Sequence, residues 1–321
     1  MRAFAALSVA GFHFIHYSGE NGPLFNSATL KSVAVFGAQG VELFFIISGF
    51  IIPFALDQSG YKLNNYFRYL GKRLVRLFPP YLAAIAGIII VSYMLCRFVW
   101  HIEYDLNVRQ TLVNIFFLGD VFPDFGWINP IFKTLKVELQ FYILMGLIFP
   151  LVIRNSWWLA VISVLLMTAG ILTKDHYTVL LNAPFFLVGL ITWLIQKNGN
   201  NFIYFIMLIL TQLMLLQYFQ WEDLIVTWLG IAMLIYLPKS TRLLSLTGKI
   251  SYSFYLIHGL TGGWFLYFAT RNTGWLKYNW LLFFLAIIVS WVGAYILYRL
   301  IEKPCLKLSA KITYKNSQPE T

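Results

Sequence analysis

Arg2, His13, Glu42, Arg73, Arg76, Glu138 and His258 are ionisable residues set in or beside long apolar runs. An ionisable side chain at membrane depth costs at least ~2.5–3.5 kcal/mol on insertion scales, so each is a site candidate by default. His13 follows Arg2 by 11 residues, which along a helix lifts it about 16 Å, near the middle of a bilayer. His258, eight residues into a later run, reaches a similar depth. Glu42 falls about nine residues into its run from the other side, and Glu138 four residues into its own, somewhat further out. Imidazole suits proton removal from an alcohol near neutral pH, and a carboxylate on its other ring nitrogen fixes the tautomer and stabilises the imidazolium. The alternative is that each histidine merely hydrogen-bonds a neighbouring helix, as polar groups in bundles do.

A second group lies in YFRYLGKRLVRLFPPY, with Arg68, Lys72, Arg73 and Arg76, and Arg2 stands at the foot of the first run. Residues 72, 73 and 76 share a helix face by i, i+3, i+4 spacing, so guanidinium forks can point into one groove. Such forks pair bidentately with phosphate, and several together suit a polyphosphate such as coenzyme A. Anionic lipid headgroups would satisfy the same charge without any substrate.

These groups need elements to hold them. A transmembrane helix takes roughly 20 apolar residues. Ten runs are candidates, several of them short, at about 3–17, 33–56, 80–99, 134–153, 157–173, 178–196, 201–219, 223–238, 250–270 and 278–298. Gly49 and Pro53 predict a kink or break in the second. Residues 108–118 are too few to cross and read as an interfacial or re-entrant helix. Placing both termini in the cytoplasm puts about two thirds of the 24 lysines and arginines on that side, in keeping with the positive-inside rule. The expected fold class is therefore an all-α polytopic bundle of about ten helices. It forms one domain over 1–321, with a cytoplasmic tail from about residue 299.

Composition agrees. Of the 321 residues, 59% are hydrophobic and 12% charged, about half the charge that a soluble domain carries. The net charge of +11 has its source in cytoplasmic loops, so nucleic-acid binding is not expected. Cys96 and Cys305 fall at different levels and form neither a disulfide nor a metal site. Nothing resembling a signal-peptide cleavage site follows the first run.

Together the strings resemble the integral-membrane acyltransferase-3 family, bacterial enzymes that O-acylate surface and secreted glycans. RAFAALSVAGFHF is similar to its (R/K)-x10-H signature, with Arg2 and His13 in the two named places. GVELFFIISGFII (40–52) resembles G-V-D-L-F-F-x-x-S-G-F, and RLVR (Arg73–Arg76) resembles R-x-x-R. LKVELQFY, with Glu138, Phe141 and Tyr142, resembles S-L-x-V-E-x-Q-F-Y; GKISYSFYLIH (248–258) and YRLIEKP (298–304) resemble the closing motifs. The sequence departs at Glu42, where Asp is usual, at Lys133, where Trp is usual, and at Thr134 and Lys136. Only Met1 precedes the first motif, and the extracytoplasmic esterase-like domain fused to some relatives is not expected.

The resemblance implies acyl transfer, with acetyl the default, from a cytoplasmic acyl-coenzyme A to a carbohydrate hydroxyl, in a bacterial inner membrane. It implies His13 as base, with Arg2, Arg73 and Arg76 serving the donor. Glu42 or Glu138 would orient His13, and Tyr255, Ser48 and His258 are candidates for steadying the oxyanion. Direct transfer and an acyl-enzyme intermediate both remain open, as do the acceptor and the oligomeric state. Tyr142 and Tyr252 read as packing aromatics, Ser48–Gly49 as a close-packing pair, Asn182 with Pro184 as a kink with a satisfied amide, and Glu302 as an ion-pair partner of a basic residue. His16, His101 and His176 read as solvated. The competing class is a secondary transporter or flippase for a lipid-linked glycan or small anionic solute, which also holds ionisable groups at midplane but needs no phosphate clamp.

Overall fold

The computed structural model describes residues 1–236 and 242–314. About 81% of the chain is helical, and the only sheet among the described residues is a hairpin of two-residue strands, so the class is all-α. From the N-terminus, α1 (Arg2–Ile15) leads through β1 (Ser18–Gly19) and β2 (Gly22–Pro23) to α2 (Ala28–Ala34) and α3 (Gly40–Gln58). Then come α4 (Tyr66–Leu95), which ends in a wider π turn over Cys96–Trp100, the short α5 (Val108–Ile115), α6 (Ile131–Arg154) and α7 (Ser156–Thr173). α8 (Ala183–Asn198), α9 (Phe202–Tyr218) and α10 (Trp221–Tyr236) follow, and the last residues of the expected run 223–238 lie outside the described residues. α11 (Arg242–His258) passes through a π turn at Gly259–Gly263 into α12 (Trp264–Thr270). α13 (Asn279–Leu297), a π turn at Tyr298–Glu302 and α14 (Lys303–Ala310) complete the chain.

Among the described residues, five helical stretches are long and apolar enough to cross a membrane: Ala28–Gln58, Leu63–Trp100, Ile131–Arg154, Ser156–Thr173 and Thr273–Ala310. α1 and α9 are apolar but shorter. At 1.5 Å per residue, the 14 residues of α1 span only about 21 Å, so His13 falls in its last turn. α3 does not break at Pro53; it runs unbroken from Gly40 to Gln58. The run expected at 178–196 begins as a helix only at Ala183, because Pro184 lacks an N–H and fits the first turn, where none is needed. Asn182 just before it is satisfied, its amide donating to the carbonyls of His176 (2.7 Å) and Thr178 (2.9 Å).

Two devices fix the elements that carry the site. Glycines let α3 and α8 meet backbone to backbone: a Cβ at Gly49 would lie 2.1 Å from the Phe186 carbonyl oxygen, and one at Gly189 2.0 Å from that of Ile46. Stacked rings continue the seam, Phe45 on Phe186 (4.7 Å between centroids) and Phe186 on Phe141 of α6 (4.1 Å). Asn114, fully buried in α5, anchors the loop into α6. Its amide donates to the Gln110 and Gly126 carbonyls, its side-chain oxygen accepts from Ile128 N–H, and its own carbonyl accepts from the Tyr81 hydroxyl at 2.6 Å. The stretch expected as a tail is helical: α14 packs against α4, and Tyr314 is buried with the Lys72 ammonium 5.4 Å from its ring centre.

Candidate active site

Three basic side chains converge at one end of a narrow slot. Arg2 and Arg76 line it, and Arg73, three residues before Arg76, is buried beside it with its guanidinium over the rings of Tyr69 (5.6 Å) and Tyr142 (5.5 Å). Among the described residues, no carboxylate lies within 4.0 Å of any of the three. The Nε–H groups of Arg2 and Arg73 are buried without a hydrogen-bond acceptor. A buried donor on a charged group left unmatched costs more than the 1–3 kcal/mol typical of a neutral one, so two strong hydrogen-bond donors stand unused at this end of the slot.

Glu138 and Tyr142 form the next layer. The carboxylate of Glu138 accepts from the Tyr142 hydroxyl one helical turn on, and from Ser48 Oγ of α3 at 3.3 Å; it lies within electrostatic reach of Arg76. Ser48, 2% exposed and committed to Glu138, is a strut between α3 and α6. Tyr252, expected only to pack, lines the slot and donates to the Leu77 carbonyl at 2.8 Å. Glu302, expected as an ion-pair partner of a basic residue, is 2% exposed and accepts from Ser253 Oγ at 2.6 Å; among the described residues no basic group comes within 4.0 Å, and Arg76 and Arg2 act on it only at longer electrostatic range.

Further along, Val41, Phe44, Phe45, Thr134, Leu135 and Tyr255 close the slot to a cavity volume of about 40 Å³. That is room for one or two waters. Thr134 and Tyr255 share a hydrogen bond of 2.7 Å. The single Thr134 proton goes to the Ile131 carbonyl at 2.8 Å, so Tyr255 is the donor of the pair. Val41, Phe45 and Thr134 also line a wide vestibule of about 570 Å³ on the far side. Its walls carry Gln39, Glu42, Gln217, Gln220 and Asp223 beside His176, Tyr177, Tyr218 and Phe219. His176, expected to be solvated, is exposed and borders this wall; nothing local in the sequence marks it, because the rest of the lining comes from α3, α6, α9, α10 and the loops beside them. Two of the departures explain themselves here: Lys133 caps the vestibule aromatic Tyr177 (4.1 Å), and Lys136 ion-pairs with Asp120.

The four groups expected at one level are not one cluster. Glu42 sits in the first turn of α3, next to the Gly40 position where α3 touches α1. Two residues further is about 200° round the helix, which turns Glu42 away from α1 and into the vestibule near Asp223, with one carboxylate oxygen unpartnered. Glu138 is held by Ser48 and Tyr142. Neither carboxylate hydrogen-bonds an imidazole. His13 instead lies beside His258, with ring centroids 5.3 Å apart. Eleven residues turn a helix about 1100°, within about 20° of three full turns, so Arg2 and His13 share a face of α1. Between them on that face Val9 packs with Ile131, Tyr255, Val41 and Phe44, an apolar seal separating the slot from His13. His13 is exposed, whereas His258 is 1% exposed. Among the described residues, no group of three or more His, Cys, Asp or Glu is placed to hold a metal.

Apolar helices around a buried cationic slot define a membrane protein with an internal polar site. The family model described as an acyltransferase domain matches residues 1–299, and the chain belongs to that family, the acyltransferase-3 membrane acyltransferases. No curated protein and no solved structure matches it.

Proposed function

We propose that the protein moves an acyl group, acetyl by default, from acyl-coenzyme A to a hydroxyl of a cell-surface or secreted carbohydrate. In this reading the chain sits in a bacterial inner membrane with ten spans and both termini cytoplasmic. The observation that carries it is the trio Arg2, Arg73 and Arg76, none of them ion-paired within 4.0 Å and two of them with a buried N–H left unmatched, at one end of a slot that meets a polar vestibule at the other. The arginines would hold the phosphates of the donor, and the slot, which as it stands has room for one or two waters, would widen to take its pantetheine arm. The vestibule sets amides and carboxylates beside aromatic faces, a surface chemistry that matches a neutral polyhydroxylated acceptor.

The reaction then runs in one balanced step. The acceptor oxygen attacks the thioester carbonyl while its proton passes to His13; the C–O bond forms, the C–S bond breaks, and the proton passes from His13 to the departing thiolate. His13 lines neither slot nor vestibule, so the seal of Val9, Phe44 and Tyr255 must part for thioester and acceptor alike to reach it, and while closed it keeps water from the donor. The transporter alternative has no comparable support, since family membership and the unmatched arginine N–H groups both favour group transfer.

The test is purified protein in liposomes with radiolabelled acetyl-coenzyme A and extracted bacterial envelope glycans. We expect label on one glycan class with stoichiometric release of thiol, and none with His13→Ala, which keeps its melting temperature. Transfer by His13→Ala at the wild-type rate sinks the reading.

A further inference from the structure

The site contains an imidazole whose hydrogen-bonding state can be deduced. His258 Nδ1 lies 2.9 Å from the Tyr255 carbonyl oxygen. A carbonyl only accepts, so Nδ1 carries the hydrogen, and in the neutral ring Nε2 is left as a lone-pair acceptor. That Nε2 is buried and has no partner. The ring is held by that bond and by its surroundings: it is 1% exposed, with Phe254 parallel to it (6.1 Å, 13° between planes) and Phe14 edge-on at 6.2 Å. Its titratable neighbour is His13, at 5.3 Å between centroids. Two imidazoles joined edge to edge by an N–H···N bond of about 2.9 Å have centroids roughly 5.2 Å apart, so the separation is already that of a bonded pair. The two rings are tilted by 32° and not hydrogen-bonded as they stand, and His13, exposed on the last turn of α1, is the less enclosed of the two.

We propose that His258 is the positioning residue of His13, accepting one His13 N–H at Nε2 and so leaving the other His13 nitrogen as the base. The inference rests on the acyl-transfer reading. It replaces the expected carboxylate partner, since Glu42 faces the vestibule and Glu138 is engaged by Ser48 and Tyr142. His258 exchanges no proton in the step; it fixes the His13 tautomer and aim, as a second hydrogen-bonding group does for a metal-bound or catalytic histidine.

Two variants separate this role from packing. His258→Phe keeps the ring volume and removes the acceptor; His258→Gln keeps a carbonyl acceptor on a different shape. With acetyl-coenzyme A and envelope glycans, we expect kcat to fall about 100-fold in His258→Phe with KM for acetyl-coenzyme A unchanged, and to recover at least tenfold in His258→Gln. A packing role predicts the reverse order, with the Phe variant the more active, and that result overturns the proposal. A second readout needs no acyl transfer: carbethoxylation of His13 by diethyl pyrocarbonate, followed by peptide mass spectrometry at one pH. His13 should react about threefold or more slowly in His258→Phe than in wild type or His258→Gln, because the acceptor bond enriches the far nitrogen. Equal rates in all three overturn the proposal, whereas absence of transfer in the wild type overturns the functional reading alone. Should a variant not fold, ¹⁵N-histidine spectra of the wild-type protein decide: an Nδ1–H tautomer at the buried ring supports the pair, and an Nε2–H tautomer overturns it.

Discussion

The arginines are where single side chains say most about the donor. Hydrogen bonds to charged groups contribute about 1.5–3 kcal/mol, so Arg76→Gln should raise KM for acetyl-coenzyme A about 10- to 100-fold with a smaller change in kcat, and Arg76→Lys should recover part of it. Steady-state kinetics at saturating glycan measure both. Glu42 makes the opposite case. It faces the vestibule, so Glu42→Gln should change KM for the acceptor and leave that for the donor within about twofold, measured the same way. The Arg–His spacing was legible in the sequence because 11 residues fix both the rise and the face on one helix. The partner of His13 was not. Depth along a run can be counted from residue numbers, but whether Glu42 turns toward α1 or toward α10 depends on how α3 is rotated in the bundle, and that is set by the Gly40 contact with Ala5.

Helices carry their own tests. Overpacking a close contact costs typically 1–3 kcal/mol, so Gly189→Ala, which drives a methyl into the Ile46 carbonyl, should lower the melting temperature in detergent by several degrees. Gly248→Ala, where a Cβ meets nothing within 4 Å, is the control and should leave it unchanged. The loop into α6 is fastened by Asp120, which accepts from Lys136 and, at 2.8 Å, from Trp127. Partial burial would raise its carboxyl, but the hydrogen bonds from Lys136 and Trp127, with the charges of Lys136 and Lys133, outweigh this and hold it below the usual carboxylate range. A depressed carboxylate stabilises the fold above its unfolded pKa of about 3.9 and loses that contribution as pH falls through the folded value. We therefore expect the wild type to lose more thermal stability than Asp120→Asn on acidification below about pH 4, with the difference constant from pH 5 to 8; melting curves across pH check it. Helical runs were readable from apolar length alone. Their ends were not: the start of α8 is decided by Pro184 and the turn bonded to Asn182, and the continuity of α3 through Pro53 by the helices packed around it.

At the level of the whole molecule, composition made a membrane bundle unavoidable, since 12% charged residues cannot cover a water-facing surface. What composition could not supply was the arrangement of slot, seal and vestibule, which draws on α1, α3, α4, α6, α10 and α11 at once. The proposed orientation has its own check. Cys305 is partly exposed near the C-terminus, and Cys96 is buried at the opposite end of α4 from the arginines. With both termini cytoplasmic, a membrane-impermeant maleimide should label Cys305 in inverted vesicles and spare it in intact spheroplasts; labelling in spheroplasts reverses the topology.

The glycine seam between α3 and α8, extended by the ring stack to α6, has a mechanical consequence. Backbones in mutual contact have no side-chain cushion to compress, so those three helices form an anvil that does not yield. Against it rests α1 through Ala5 and Val9, while Ala6 and Ala10 cluster with Ile250 and Phe254 of α11, whose end loosens into a π turn at Gly259–Gly263. Any breathing that admits a bulky thioester therefore belongs to the α1–α11 limb, and the two imidazoles, one on each of those helices, would swing as a unit with it.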